Sequence, residues 1–447
     1  MDPSVAARLR ERVRSLMPDV ERDLERLIRI PSISHAGYDP AEVRHSAEAT
    51  AELFVAAGAQ TELLEVQGAP PAVRAHVAGP PGAPTVLLYA HHDVQPTGPL
   101  SLWHTEPFTP ERRDGRLFGR GSSDDKCGVV THAAVIRAWE GRPPVGITVF
   151  VEGEEEAGSP HLAAFLERHG DRLRADAVIL ADSGNWRVGE PALTTSLRGV
   201  VACVVEVRTL DHAVHSGEYG GPVPDALMVL ARTLAALHDA RGNVAVAGLA
   251  TGSADALDLT EDELRGWVGM RPGVELTGDG GLTERLWTKP AISILGIDAP
   301  SVRESPNQLV PSARAKVSMR IPPGQDAAAA REALHAHVRS SVPWGAEVRI
   351  EDLGAGEPFR VRAEGPAFDA MRHAFAEAWG TPSRDIGIGG SIPFVFAFAK
   401  AFPDAALLLT GAGDPSSNAH SEDESVDLAE LERACLAEAL FLGYLAA

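Results

Sequence analysis

The stretch Ile147-Thr-Val-Phe-Val-Glu-Gly-Glu-Glu-Glu-Ala-Gly-Ser159 constrains this chain more than any other. The apolar run from Ile147 to Val151 has the length and β-branched content of a buried strand. It stops in the carboxylates of Glu152, Glu154, Glu155 and Glu156, and Gly158 and Ser159 then turn the chain toward a helix. Clustered carboxylates repel and are costly to bury unless cations offset them. Taken alone, the stretch fits a solvated acidic turn. Three other apolar strands that end in similar chemistry reverse that reading.

The strand Thr85-Val-Leu-Leu-Tyr-Ala90 delivers His91-His92-Asp93. A glycine-punctuated loop from Gly115 to Lys126 carries Asp124 and Asp125 and opens a helix over about 128–139. Aspartates in that position commonly cap the helix that follows. The run Ala177-Val-Ile-Leu-Ala181 ends at Asp182, and a strand over 405–409 leads into the loop containing His420. Strands separated by helical patterns, with polar residues at the strand ends, predict an α/β sheet with a site along one edge.

The N-terminal residues 4–30 read as helical, with Pro18 expected to break the run in two. From Ser196 the character changes. Strands near 200–207, 291–295, 313–321 and 346–350, with helices near 224–239 and 326–339, follow a βα-ββ-αβ order, which predicts an inserted ferredoxin-like α+β domain. A long irregular stretch is expected up to Pro290. The first style resumes near Glu357. The resulting division is 1–195 and 357–447 for one domain and 196–356 for the insertion.

At 447 residues the chain exceeds one ordinary core. A formal net charge of −21 excludes a nucleic-acid groove or an anionic membrane surface as partner. Cys127, Cys203 and Cys435 show no CxxC spacing, which suits a reducing compartment. The N-terminus has no apolar signal core and no stretch is long enough to span a membrane. A soluble, cytoplasmic protein is expected.

His91 with Asp93 suits a metal-bound imidazole whose second N–H is fixed by a carboxylate. Asp124, Asp182 and His420 (in Ser417-Asn-Ala-His-Ser421) add oxygen and nitrogen donors, with no thiol among them. That donor set fits zinc, manganese or cobalt in a hydrolytic site, and two such metals about 3.5–4 Å apart can share a bridging carboxylate. The chain contains no Gly-x-Ser-x-Gly elbow of a serine hydrolase and no Gly-x-Gly-x-x-Gly after a strand.

Four segments occur in a familiar order: Ala90-His-His-Asp-Val-Gln-Pro96, Gly119-Arg-Gly-Ser-Ser-Asp-Asp-Lys126, Glu152-Gly-Glu-Glu-Glu-Ala-Gly-Ser159 and Asn418-Ala-His-Ser421. Together they resemble the di-zinc metallopeptidases that include carnosine dipeptidase, carboxypeptidase G and the aminoacylases, with the dipeptidase branch the nearest in form. The resemblance implies a mixed-sheet catalytic domain with helices on both faces and an inserted lid and dimerisation domain. It implies two Zn2+ per subunit, with Mn2+ or Co2+ as substitutes. His91, Asp182 and bridging Asp124 would hold one ion, and Asp124, Glu156 and His420 the other. Asp93 would orient His91, and Glu155 would be the general base beside a metal-bridging water. Glu155 and Glu156 would divide these roles by diverging from extended backbone. A cis peptide is implied at Asp124–Asp125.

In the inserted domain, His215 resembles a histidine that reaches a neighbouring subunit's site and stabilises an oxyanion. Arg320 resembles an arginine that grips a substrate carboxylate. Asn307 and Ser391 fall near positions lining the substrate pocket. The implied activity is hydrolysis of dipeptides or small peptides with a free C-terminal carboxylate, by a homodimer. An N-acyl-amino-acid deacylase using the same metals is the alternative. Cys127, Asp423 and Ala90 depart from the commoner residues at their positions, and none removes a ligand.

Overall fold

The fold was taken from a computed structural model, which describes residues 1–447 apart from Ala256 and Ser391. The chain forms two compact units. One comprises 1–195, 361–386 and 393–447; the other comprises 196–360 and 387–392.

The first unit is built on a mixed sheet. Its strands run in the order Gln60–Leu64, Ala72–Val77, Gly146–Glu152, Thr85–His91, Ala177–Leu180, Ala406–Leu409 and Ala192–Leu197. The four strands from Gly146–Glu152 to Ala406–Leu409 are mutually parallel. Every residue of Gly146–Glu152 is buried, as expected for a parallel strand covered on both faces. Alternate side chains feed two layers. Val86, Leu88 and Ala90 join the main core with the helices Pro3–Ile28, Lys126–Ala138 and Leu428–Leu445. On the other face the Tyr89 ring lies 4.2 Å from that of Phe394, with Phe398 and Phe150 around it and Phe165 packed on Phe150.

Pro18 does not break the first helix, which runs unbroken from Pro3 to Ile28. Its buried stripe of Leu9, Val13, Met17, Val20, Leu24 and Leu27 stays in register through the proline. Pro18 itself lies on the exposed side, where the carbonyl it frees faces solvent.

The second unit has a four-stranded antiparallel sheet ordered Ala291–Asp298, Ser312–Ile321, Gly199–Arg208, Glu347–Gly356. With the helices Ala226–Ala235 and Ala327–Ser341, the chain order is βαββαβ, a ferredoxin-like layout. The stretch read as irregular holds two short helices, Glu261–Trp267 and Leu282–Trp287. Thr260 and Glu263 form a capping box at the first, a local signal that a search for apolar periodicity passes over. Among the described residues no helix is long and apolar enough to cross a membrane.

Candidate metal centre

Parallel strands bring their C-terminal ends to one sheet edge. Here that edge gathers His91 from Thr85–His91, the Glu152–Glu156 turn from Gly146–Glu152, Asp182 after Ala177–Leu180, and the loop to His420 after Ala406–Leu409. The register sets His91 directly beside Glu152. Asp124 arrives from the loop before Lys126–Ala138, and the Asp124–Asp125 peptide is cis.

The two aspartates divide their work. Asp125 is the helix cap, accepting the Gly128 N–H at 3.2 Å and the His91 N–H at 3.3 Å. Asp124 faces the cluster: its Oδ1 lies 3.0 Å from His91 Nε2 and its Oδ2 lies 3.0 Å from His420 Nε2. His420 Nε2 is also 3.1 Å from Glu156 Oε2, and His91 Nε2 is 3.9 Å from Asp182. Two triads result, His91–Asp124–Asp182 and Asp124–Glu156–His420, with the donor atoms within each triad no more than 4.8 Å apart. Asp124 belongs to both.

Asp93, fully buried, holds this arrangement from behind. Its carbonyl lies 3.1 Å from His91 Nδ1 and its carboxylate 3.4 Å, leaving Nε2 turned toward Asp124. Glu155 and Glu156 do not lie on extended backbone; Glu155–Ala157 is one turn of 3-10 helix. At three residues per turn their side chains diverge by about 120°, so the two are still separated. Glu156 is gripped by Gln95, whose Nε2 donates to its Oε2 at 2.7 Å and whose N–H donates to its Oε1 at 3.1 Å. Gln95 was missed from sequence, although it stands inside Asp93-Val-Gln-Pro96.

The other two carboxylates of the acidic stretch face neither triad. Glu152 accepts the Tyr89 and Ser159 hydroxyls, and burial pushes its carboxyl up to about 8. Glu154 accepts from the His161 N–H at 2.8 Å and meets its ring. Neither is solvated, as both are buried. Lys126, in the same motif as Asp124, donates to the Leu27 and Ile30 carbonyls at 2.8 Å and serves the fold.

The electrostatics test whether cations fit. Burial, with Asp124 adding to it, raises Asp182 to about 7. Burial and Asp182 push Glu155 well above the carboxylate range. Hydrogen bonds to Asp124 and Glu156 raise His420 to about 11. Buried anions that resist ionisation, and imidazoles that hold protons to satisfy them, mark a site short of positive charge. The donor set is nitrogen and oxygen, suited to borderline and hard divalent ions. The residues fit such ions.

The remaining sequence-predicted residues lie in the second unit. His215 is exposed, and its Nδ1 accepts the Gly217 N–H at 3.0 Å. Asn307 lies beside it, its carbonyl accepting the Ser216 N–H at 3.1 Å. Arg320 is half-buried on Ser312–Ile321. Ser391 lies outside the described residues.

Comparison with known proteins shows the family. Residues 87–442 match Peptidase family M20/M25/M40. The chain is 36% identical over 367 residues to the cysteinylglycine-S-conjugate dipeptidase of Corynebacterium striatum, covering 80% of this chain and 81% of that protein. It is 27% identical over 380 residues to the human Beta-Ala-His dipeptidase, covering 80% of this chain and 74% of the other. Among solved structures it is similar in fold to the di-peptidase Dug1p of Saccharomyces cerevisiae, with a TM-score of 0.85, 24% identity, and coverage of 99% and 98%.

Proposed function

The chain belongs to peptidase family M20/M25/M40, and from that premise we propose a di-zinc dipeptidase that cleaves small peptides carrying a free C-terminal carboxylate. The observation that carries this reading is the pair of triads sharing Asp124, with Glu155 on the same turn as Glu156. His91, Asp124 and Asp182 would hold one ion; Asp124, Glu156 and His420 would hold the other. Bound there, such ions would supply Lewis acidity and make water a nucleophile near neutral pH.

Glu155 is the general base, taking the proton of the attacking water and returning it to the leaving amine. Asp93 fixes the tautomer and orientation of His91. His215 stabilises the oxyanion of a neighbouring subunit's site. Its Nδ1 accepts from Gly217, so in the neutral ring the proton is on Nε2, the donor this role requires. Arg320 selects the substrate by its terminal carboxylate, which a guanidinium binds bidentately, and Asn307 and Ser391 line the pocket. Residues 1–195 and 357–447 form the catalytic domain and 196–356 the lid and dimerisation domain. The working form is a homodimer. We assign it to the cytoplasm, a reading supported by three buried cysteines with no disulfide.

One sample tests the proposal: elemental analysis, then a panel of dipeptides against acetyl- and succinyl-amino acids. Two zinc ions per chain and preferential turnover of dipeptides are expected. Turnover of acyl-amino acids alone would transfer the reading to a deacylase. A chain that takes up no zinc, cobalt or manganese would end it.

A further inference from the structure

We infer that Glu424 is a positioning residue that sets the Asp124 carboxylate against the His420 imidazole. The inference rests on the reading of those two residues as metal ligands.

Glu424 belongs to neither triad, yet it is completely buried four residues beyond His420. Five donors converge on its carboxylate. Arg120 Nη1 and the Gly121 N–H reach Oε2 at 2.7 and 3.0 Å. The Ser123 N–H, the Ser123 hydroxyl and the Asp124 N–H reach Oε1 at 2.9, 3.1 and 3.1 Å. Its own carbonyl accepts the Gly119 N–H at 2.9 Å. The strand Ser425–Asp427 then pairs antiparallel with Arg116–Phe118. One side chain thus locks the 119–124 loop, backbone included, onto the segment that carries His420.

The chemistry of the grip is specific. A carboxylate has two acceptor oxygens and no donor, so it can satisfy both sets of N–H groups. A glutamine has one acceptor oxygen. With Arg120 present, that oxygen turns toward the guanidinium, because charge-assisted bonds are the stronger ones. The amide NH2 then opposes the N–H groups of Ser123 and Asp124, and Asp124 is released. Metal ligands that lose outer-shell partners typically lose about 10–100-fold in metal affinity.

Two variants test this by zinc titration of the metal-free protein and by the visible absorption of the Co2+ form, with wild type alongside. Glu424→Gln should lose about 10–100-fold in affinity and alter the cobalt spectrum. The double variant Arg120→Met with Glu424→Gln removes the competing cation, so the amide oxygen is free to accept from Ser123 and Asp124. It should recover most of the affinity and the wild-type spectrum. A role confined to the Arg120 ion pair predicts no such rescue.

Wild-type affinity and spectrum in Glu424→Gln would overturn the inference. So would a folded double variant without recovery, or failure of both variants to fold, which would assign Glu424 to the fold alone. Should Glu424→Gln alone fail to fold, wild-type-like binding by the double variant still supports the grip. Wild-type protein that binds no metal is a different result: it removes the proposed function itself.

Discussion

Asp93 accepts the backbone N–H of Glu156 at 3.0 Å. The bond crosses from the end of Thr85–His91 to the turn that follows Gly146–Glu152. The same carboxylate accepts the Glu155 N–H at 3.2 Å and the Ser34 hydroxyl at 2.6 Å. One buried side chain therefore supports members of both triads and the proposed base. Burial opposes its charge most strongly, but the His91 hydrogen bond and charge, with the Ser34 hydrogen bond, together outweigh it and keep the carboxyl below its usual range.

Asp93→Asn should therefore weaken more than one ligand. The amide has one acceptor where three N–H and O–H donors converge. Metal affinity is expected to fall about 10–100-fold, the usual effect of losing an outer-shell partner. Titration of the metal-free variant with zinc measures this. Unchanged affinity at both sites would mean that Asp93 supports only the fold.

Glu155→Gln isolates the base. Glu155 belongs to neither triad, so metal content should stay at the wild-type level. The rate is expected to fall by at least ~10²–10⁴-fold, the typical contribution of a positioned base. Paired elemental analysis and turnover measurements decide it. Near-normal turnover would show that another group takes the proton.

Much of this site is legible in the sequence because parallel strands are continuous apolar runs, and their ends point to one edge. Thr85–His91, Gly146–Glu152, Ala177–Leu180 and Ala406–Leu409 announce themselves in this way. The strands Glu111–Arg113, Arg116–Phe118 and Ser425–Asp427 have three residues each, too few for a period to register. The helix Pro393–Ala401 reads Pro-Phe-Val-Phe-Ala-Phe-Ala-Lys-Ala, with apolar residues too frequent to mark one face. The fates of Glu152 and Glu154 were hidden for another reason. Their partners Tyr89 and His161 come from other elements, and a run of like charges does not say which members find hydrogen bonds elsewhere. Of the four, Glu156 alone belongs to a triad, so the proposed offset by cations reaches Glu156 and its neighbour Glu155, not Glu152 or Glu154.

Metal loading should release protons. In the metal-free chain, hydrogen bonds to Asp124 and Glu156 raise His420 to about 11, so its ring is protonated at neutral pH. A ligating imidazole must be neutral. Apparent affinity should thus rise with pH across 6–8. For the metal-free fold the sign is opposite. A raised histidine stabilises fully below its unfolded value near 6.5 and loses that contribution as pH climbs toward 11. Calorimetric titration in buffers of different ionisation heat reads the released protons directly. Binding enthalpy independent of buffer would contradict the protonated ring.

The proposed trans role of His215 can be tested by complementation. His215→Ala should bind metal normally, since His215 lies in neither triad, yet its homodimer should be inactive for want of an oxyanion donor. Glu155→Gln should also be inactive, for want of a base. If His215 serves the neighbouring site, a hybrid dimer contains one site with both defects and one with neither. Random mixing yields hybrids as half of all dimers, so about a quarter of wild-type sites should become active. If His215 serves its own subunit's site, every hybrid site carries one defect and mixing restores nothing. Subunit exchange must be followed independently, for example by mass spectrometry of differently tagged chains. Proven exchange with no recovered activity would assign His215 to its own subunit.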